Sequence, residues 1–465
     1  MIRDKINTKL ITNVLFWVYA AFLLVTTFVR IAEISFWGDE CYSLWLAKMS
    51  IPDMLAETAS DVHPPLHYFW VMLFYKIFGE SPIMYHVSSV IPYVGIMLFG
   101  LIPIRKKFGL GTSTVFVTLA TLMEAALRYN LEVRMYSLAA MLVLFAFYCV
   151  YLILNNNKWS EWIWFAIFSL AAAYTHYYAL ISVAFFYVVL ILYSFKHKEC
   201  RVKAAVISGA TVVIYLPWLL VLLETFKRAS GDFWVPAVQT WAECFEFAFD
   251  SVWLFVCFVV AVVWFVVADY REEKKVSKTT LWCMAGVLSF VGTAAVGRFV
   301  SIVFRPLFMV RYLFPIVIVV WLVFAISVSK IKFYNWVALL LTIAVFATHW
   351  PAYTAVCAYE KEMDGFTQDF LNNVVIEGES KIYTNQEHYE WTILRYYYPN
   401  CESVLHVNDM EYAETITDGE WVFQTMPMST ACLSTISARG YNVIPVYQGV
   451  MAVESWIFVY YITAS

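Results

Sequence analysis

Uncharged stretches of about 18–20 residues recur through most of this 465-residue chain, each long enough to cross ~30 Å of hydrocarbon as a helix. No other feature constrains the fold as strongly. Inside a bilayer every backbone N–H and C=O must be satisfied within the segment, so such stretches are helices. The spans read as 10–29, 83–104, 112–128, 135–154, 161–176, 178–195, 204–223, 251–269, 281–301, 309–329 and 333–350. The fold class that follows is an all-α polytopic membrane protein with about 11 transmembrane helices and interfacial helices in its first outer loop. Composition agrees: 62% of residues are hydrophobic and 14% charged, more apolar surface than a soluble chain can hide. Leu66–Phe78 is apolar but short and carries His67 and Lys76, which suits a helix lying along the interface. The first span is too long for a cleaved signal core and reads as a retained anchor.

Basic residues set the orientation. Arg105, Lys106 and Lys107 fall on one side, together with Lys196, Lys198, Arg201 and Lys203, and with Arg271, Lys274, Lys275 and Lys278. Short loops rich in Lys and Arg stay in the cytoplasm. The N-terminus is therefore inside, and loops 31–82, 129–134, 224–250 and 298–308 face the extracytoplasmic side, as does everything after Trp350. The chain divides into a transmembrane domain at 1–350 and a small extracytoplasmic domain at 351–465. In the latter, short strand-like runs (Lys381–Thr384, Ser403–Val407, Trp421–Gln424, Asn442–Tyr447, Ser455–Thr463) alternate with a helix at Glu390–Tyr398, an α/β pattern. The nine cysteines show no C-x-x-C spacing, so neither a disulfide framework nor a zinc knuckle is indicated. Nothing points to a nucleic-acid partner.

Ionisable groups at a membrane boundary are expensive, and here they gather on one face. The first outer loop holds Asp39 and Glu40 between Trp37 and Tyr42, then Asp61 and His63 ahead of Pro64–Pro65. The second holds Glu132, Arg134 and Tyr136; His176 sits in a turn between spans, and Arg298, Arg305 and Arg311 flank a later span. Carboxylates can accept the proton of an attacking hydroxyl, while guanidinium groups neutralise phosphate in bidentate fashion. Moving a sugar from a lipid phosphate to a hydroxyl needs both. The phosphate leaves without a general acid, so one base suffices and inversion at the anomeric carbon is expected. Each residue also has a plainer reading: solvated loop acids, a helix-entry histidine, an interfacial ion pair, a snorkelling arginine.

The ordered set Gly38-Asp39-Glu40-Cys41-Tyr42, Asp61-Val62-His63-Pro64-Pro65, Glu132-Val133-Arg134-Met135-Tyr136, Tyr174-Thr175-His176-Tyr177 and Arg311-Tyr312-Leu313-Phe314-Pro315 resembles the GT-C glycosyltransferases. It is most similar to glycosyltransferase family 39, with the protein O-mannosyltransferases and the bacterial aminoarabinose transferases acting on lipid A. The resemblance spans about residues 10–330 and implies a polyprenyl-phosphate sugar donor and a cell-envelope acceptor. It implies catalytic roles for Asp39, Glu40 and Glu132, with Asp39 as general base. Asp61, His63, Arg134, Tyr136, His176, Arg298 and Arg311 are the expected substrate-binding residues. No cofactor is required by the motifs, but some relatives hold a divalent metal, for which Glu40, His63 and His176 are the candidate ligands. Lean loops and a short tail favour a bacterial plasma-membrane enzyme. Two rivals stand beside this reading: a secondary transporter or flippase of a lipid-linked sugar, and a membrane scaffold whose tail domain binds partners.

Overall fold

The computed structural model describes residues 2–32, 34–228, 235, 237–386, 393–406, 408–451 and 455–465. Its helices begin with α1 (Ile2–Phe28), α2 (Gly38–Lys48), α3 (Ile51–Ser60) and α4 (Leu66–Phe78). Next, α5 (Pro82–Phe99) runs through a π turn at Gly100–Ile104 into the basic α6 (Arg105–Phe108). The middle of the chain is α7 (Leu110–Leu122), α8 (Glu124–Tyr129), α9 (Tyr136–Asn156), α10 (Trp159–Ala173), α11 (Tyr177–Lys196) and α12 (Lys198–Arg228). It is followed by α13 (Trp241–Phe249), α14 (Val252–Glu273), α15 (Lys278–Val303), α16 (Phe314–Val328) and α17 (Tyr334–Asn373). Contacts group the chain into two units. Met1–Val29, Ser50–Trp70 and His86–Tyr353 form the first; Arg30–Met49, Val71–Tyr85 and Thr354–Ser465 form the second.

Among the described residues nine helices are long and apolar enough to cross a membrane, so the chain is a multi-pass membrane protein. Two more expected spans are present as shorter helices. α7 has 13 residues and α10 has 15, about 20–22 Å at 1.5 Å per residue. α10 turns back after α9 and packs on α9, α11 and α12. The expected span 112–128 is broken: Met123 is extended (φ −61°, ψ 143°), and the chain restarts as α8. Asp250, at a left-handed φ of 54°, accepts the Glu124 N–H through Oδ2 at 2.8 Å and so caps the restarted helix. Every residue of α16 is buried, because α7, α9, α14 and α15 surround it. A helix that is apolar on all sides belongs at the centre of a bundle.

Close helix approach depends on small residues. A methyl group added at Gly297 of α15 would come within 2.7–2.8 Å of the Phe308 and Tyr178 rings. Gly297→Ala should therefore destabilise by ~1–3 kcal/mol through overpacking. Thermal unfolding in detergent measures this, and an unchanged Tm would show that the two rings yield freely.

The second unit is built on a five-stranded sheet of order β2-β1-β3-β5-β4, with β1 (Lys381–Thr384), β2 (Glu402–Leu405), β3 (Trp421–Gln424), β4 (Tyr441–Met451) and β5 (Ser455–Ala464). β2, β1 and β3 run parallel; β5 is antiparallel to both β3 and β4. Side chains alternate across the pleat, which gives the sheet two cores. Ile382, Trp421, Phe423 and Val459 pack on one face against Phe370 of α17, whereas Tyr383, Val422 and Ile462 pack on the other with Tyr412, Cys432 and Ile436. Pro445 lies on β4, an edge strand, where a missing N–H is tolerated. The expected helix at Glu390–Tyr398 lies outside the described residues up to 392; its described part carries one turn, Arg395–Tyr397. α17 continues well past the expected end at 350, to Asn373. Arg30 holds Glu360 of its extension through Nε at 2.9 Å and Nη2 at 2.5 Å, and Ser35 Oγ donates to Asp364 at 2.5 Å.

Candidate functional site

The first unit gathers most of the expected residues around a buried loop, Asn130–Arg134, between α8 and α9. All five residues are buried, yet the segment makes few backbone bonds of its own, so its carbonyls need partners from elsewhere. They find them on α4 and α5. The Leu131 carbonyl accepts from His86 Nδ1 (3.2 Å), that of Glu132 from Ser89 Oγ (2.7 Å) and that of Val133 from His67 Nε2 (3.3 Å). Ser137 Oγ in turn donates to the Ser89 carbonyl at 2.7 Å. These bonds fix a loop whose side chains include Glu132, 6% exposed, and Arg134, 4% exposed. Ser89→Ala should remove one of two hydrogen bonds to the Glu132 carbonyl, which keeps the Arg134 N–H at 2.7 Å, and cost ~0.5–1.5 kcal/mol. An unchanged Tm for that variant would mean another donor takes its place.

Asp61 ends α3, and His63 Nδ1 donates to its Oδ2 at 3.3 Å. Pro64 and Pro65 then start α4, where the Leu66 N–H reaches the Tyr174 carbonyl at 2.9 Å and ties this loop to the α10–α11 turn. That turn carries His176, 2% exposed, at the N-terminus of α11. Its ring lies 6.3 Å from His63, 5.8 Å from Tyr136 and 5.4 Å from Tyr312, and Tyr178 and Tyr312 pack at 5.1 Å. Arg134 acts electrostatically on Asp61, His67 and His176, while Arg311 acts on His176 and Tyr129. Asp61, His63, Glu132, Arg134, Tyr136, His176 and Arg311 thus converge. Arg298 is used elsewhere: it donates to the Gln239 carbonyl and lies 5.3 Å over the Trp241 ring.

Burial and the two arginines shape the electrostatics of this cluster. Burial, the His63 charge, Arg134 and Arg311 all push His176 well below the usual histidine range. Burial and Arg134 likewise lower His67 to about 3, so both rings are neutral at pH 7. Since a carbonyl can only accept, Nε2 of His67 carries its proton. Nδ1 of His67 and Nδ1 of His176 are buried with no hydrogen-bond partner among the described residues. Burial would raise the Asp61 carboxyl, but the hydrogen bond and charge of His63, with Arg134, hold it below its ordinary value and keep it anionic.

These directions set a pH dependence. Both histidines bind fewer protons folded than unfolded, so the stability tied to them is complete above pH 6.5 and is lost as pH falls below it. Asp61 adds its own loss only below 3.8. Tm should therefore fall from pH 7.5 to pH 5, at up to ~1.4 kcal/mol per pH unit for each proton excluded. A Tm that holds or rises over that interval would contradict the buried, neutral histidines.

In the second unit Asp39 and Glu40 lie in the first turn of α2. Glu40 is 2% exposed, and its Oε2 accepts the Trp37 N–H at 3.1 Å, closing the helix N-terminus on itself. Asp39 is half-exposed. A divalent ion finds no ready ligand set here. Among the described residues no three His, Cys, Asp or Glu side chains gather; Asp61 and His63 engage each other, and Glu40 is occupied as a cap.

Comparison with known proteins adds the fold. No protein-family model matches the sequence, and no curated protein matches it. Among solved structures the chain is similar to ArnT from Cupriavidus metallidurans in the apo state, with a TM-score of 0.62 at 13% identity, covering 97% of this chain and 98% of that one. Against the same protein bound to undecaprenyl phosphate the TM-score is 0.59 at 13% identity, with 96% and 97% covered. A third similar structure is the Archaeoglobus fulgidus oligosaccharyltransferase in complex with Zn and sulfate, with a TM-score of 0.50 at 13% identity, covering 94% of this chain and 72% of the other. At these identities the likeness carries the architecture: this chain is a multi-pass membrane protein with the GT-C fold.

Proposed function

We propose that this protein is a membrane glycosyltransferase that moves a sugar from a polyprenyl-phosphate donor to an acceptor hydroxyl on the extracytoplasmic side, with inversion. The observation that carries the reading is the convergence of the buried Arg134 and the neutral, buried His176 with Arg311 and Tyr312, brought together by one loop and two helix starts. A guanidinium group suits phosphate because it offers a planar, bidentate pair of N–H donors. The structural likeness to a protein bound to undecaprenyl phosphate supports a lipid phosphate as that anion.

Roles follow from the chemistry of each side chain. Arg134 and Arg311 hold and neutralise the donor phosphate, with the bare Nδ1 of His176 available to a phosphate or sugar hydroxyl. Asp39, half-exposed at the start of α2, takes the proton of the incoming hydroxyl. The acceptor oxygen bonds to the anomeric carbon as the bond to the phosphate oxygen breaks. The electron pair leaves with the phosphate and the proton goes to Asp39. Glu40 caps the helix that carries this base. The domain at 351–465 serves the acceptor, and the protein lies in the plasma membrane with its N-terminus in the cytoplasm. The test is label transfer: purified protein is given a panel of radiolabelled polyprenyl-phosphate sugars with membrane extract as acceptor. Transfer from one of them is expected, and none from any donor would overturn the reading.

A further inference from the structure

Within the first unit, α14 and α15 meet in a turn between Lys274 and Ser277, and a cavity of about 240 Å³ opens beside it. Val266, Val267 and Val276 form its apolar wall; Asp269, Thr280 and Arg271 form its polar one. From the cavity an apolar stripe runs back along α14. Val267, Val263, Val260 and Val256 are all exposed, at the alternating spacings of four and three that keep one helix face. From 256 to 267 at 1.5 Å per residue the stripe is ~16 Å long, close to one leaflet of a ~30 Å hydrocarbon core. Trp264 and Tyr270 are exposed too, and such rings favour the membrane–water interface. Trp264 Nε1 donates to the Lys330 carbonyl at 3.2 Å.

Charge is distributed unevenly around this turn. Asp269, 4% exposed, accepts from Thr280 Oγ and lies 3.8 Å from Lys330 Nζ, which is also 2.6 Å from Glu272. The acids beside the cavity are thus answered by Lys330. Arg271, Lys274, Lys275 and Lys278 are exposed, and among the described residues none is in ion-pair contact with a carboxylate. Lys278 acts on Glu199 only from farther away, and Glu273 is the one acid in 271–278 left to balance them. Cations at a membrane boundary above a lipid-length apolar stripe complement a molecule that is anionic at one end and oily at the other. We propose that the α14–α15 hairpin binds an anionic glycerophospholipid of the leaflet its turn faces. Arg271 and the three lysines hold the phosphate, and one acyl chain lies along the valine stripe. The site stands apart from the residues assigned to the sugar donor and does not depend on the transferase reading.

The test is a lipid titration of full-length protein in detergent micelles, read by native mass spectrometry. Dioleoylphosphatidylglycerol should bind at least about tenfold more tightly than dioleoylphosphatidylcholine, with the preference shrinking as salt rises. The double variant Arg271→Gln with Lys275→Gln should cut phosphatidylglycerol affinity about tenfold or more, since each charge is worth roughly fivefold. Arg271→Lys with Lys275→Arg should keep it, which separates lost charge from disturbed folding. Lys196→Gln with Lys198→Gln removes as much charge from the α11–α12 turn and should leave the affinity unchanged. An equal loss in that control would reduce the effect to general attraction and overturn the proposal. Equal binding of the two phospholipids, or displacement of phosphatidylglycerol by undecaprenyl phosphate as readily as by itself, would overturn it as well.

Discussion

Replacing Asp39 by Asn should lower the rate of sugar transfer about a hundredfold to ten-thousandfold, the range that a positioned base contributes. The substitution is nearly isosteric and the residue is half-exposed, so Tm should not move. Binding of undecaprenyl phosphate should not move either, because the cations assigned to the phosphate are other residues. That split separates a base from a structural acid. Glu40→Gln gives the contrast: its buried carboxylate caps α2 through the Trp37 N–H, so its loss should show first in stability. An Asp39→Asn enzyme with wild-type turnover would remove the base from position 39.

The second large effect belongs to Arg134. Its side chain is 4% exposed and acts on Asp61, His67 and His176 together. Arg134→Gln should weaken undecaprenyl phosphate binding about tenfold to a hundredfold, the worth of one charged hydrogen bond at ~1.5–3 kcal/mol. The same change relieves the positive field on His67 and His176, so part of the acid sensitivity of Tm should disappear. A merely structural arginine would cost stability without changing how Tm follows pH. Retained lipid affinity in this variant would place the phosphate elsewhere.

Much of the architecture was legible because membrane spans and pleated strands write their period into the sequence. β1 and β3 coincide with the strand-like runs Lys381–Thr384 and Trp421–Gln424, and β5 differs by one residue at its end. What sequence periodicity could not show were features set by tertiary contact. The break at Met123 depends on Asp250, distant in the chain, capping Glu124. The extension of α17 to Asn373 follows a fall in hydropathy, but Phe370 and Val374 are buried against the sheet, and packing outweighs the loss of lipid-facing character.

The candidate site divides in the same way. Asp61, His63, Arg134, His176 and Arg311 could be singled out because charge beside an apolar span is unusual. His67, His86 and Ser89 could not, since a histidine or serine within an apolar helix reads as packing until the loop carbonyl it holds is seen. Arg298 carried the same sequence signal as Arg311, yet it is spent on Gln239 and Trp241.

A single displacement at the anomeric carbon is the most direct consequence of one base and a departing phosphate. The decisive measurement is the anomeric configuration of the product, read by NMR after transfer from a polyprenyl-phosphate sugar of known anomer. The configuration opposite to the donor's is expected. Product of the same configuration would require a covalent sugar–protein intermediate and would contradict the assignment of Asp39 as a base acting on the acceptor hydroxyl.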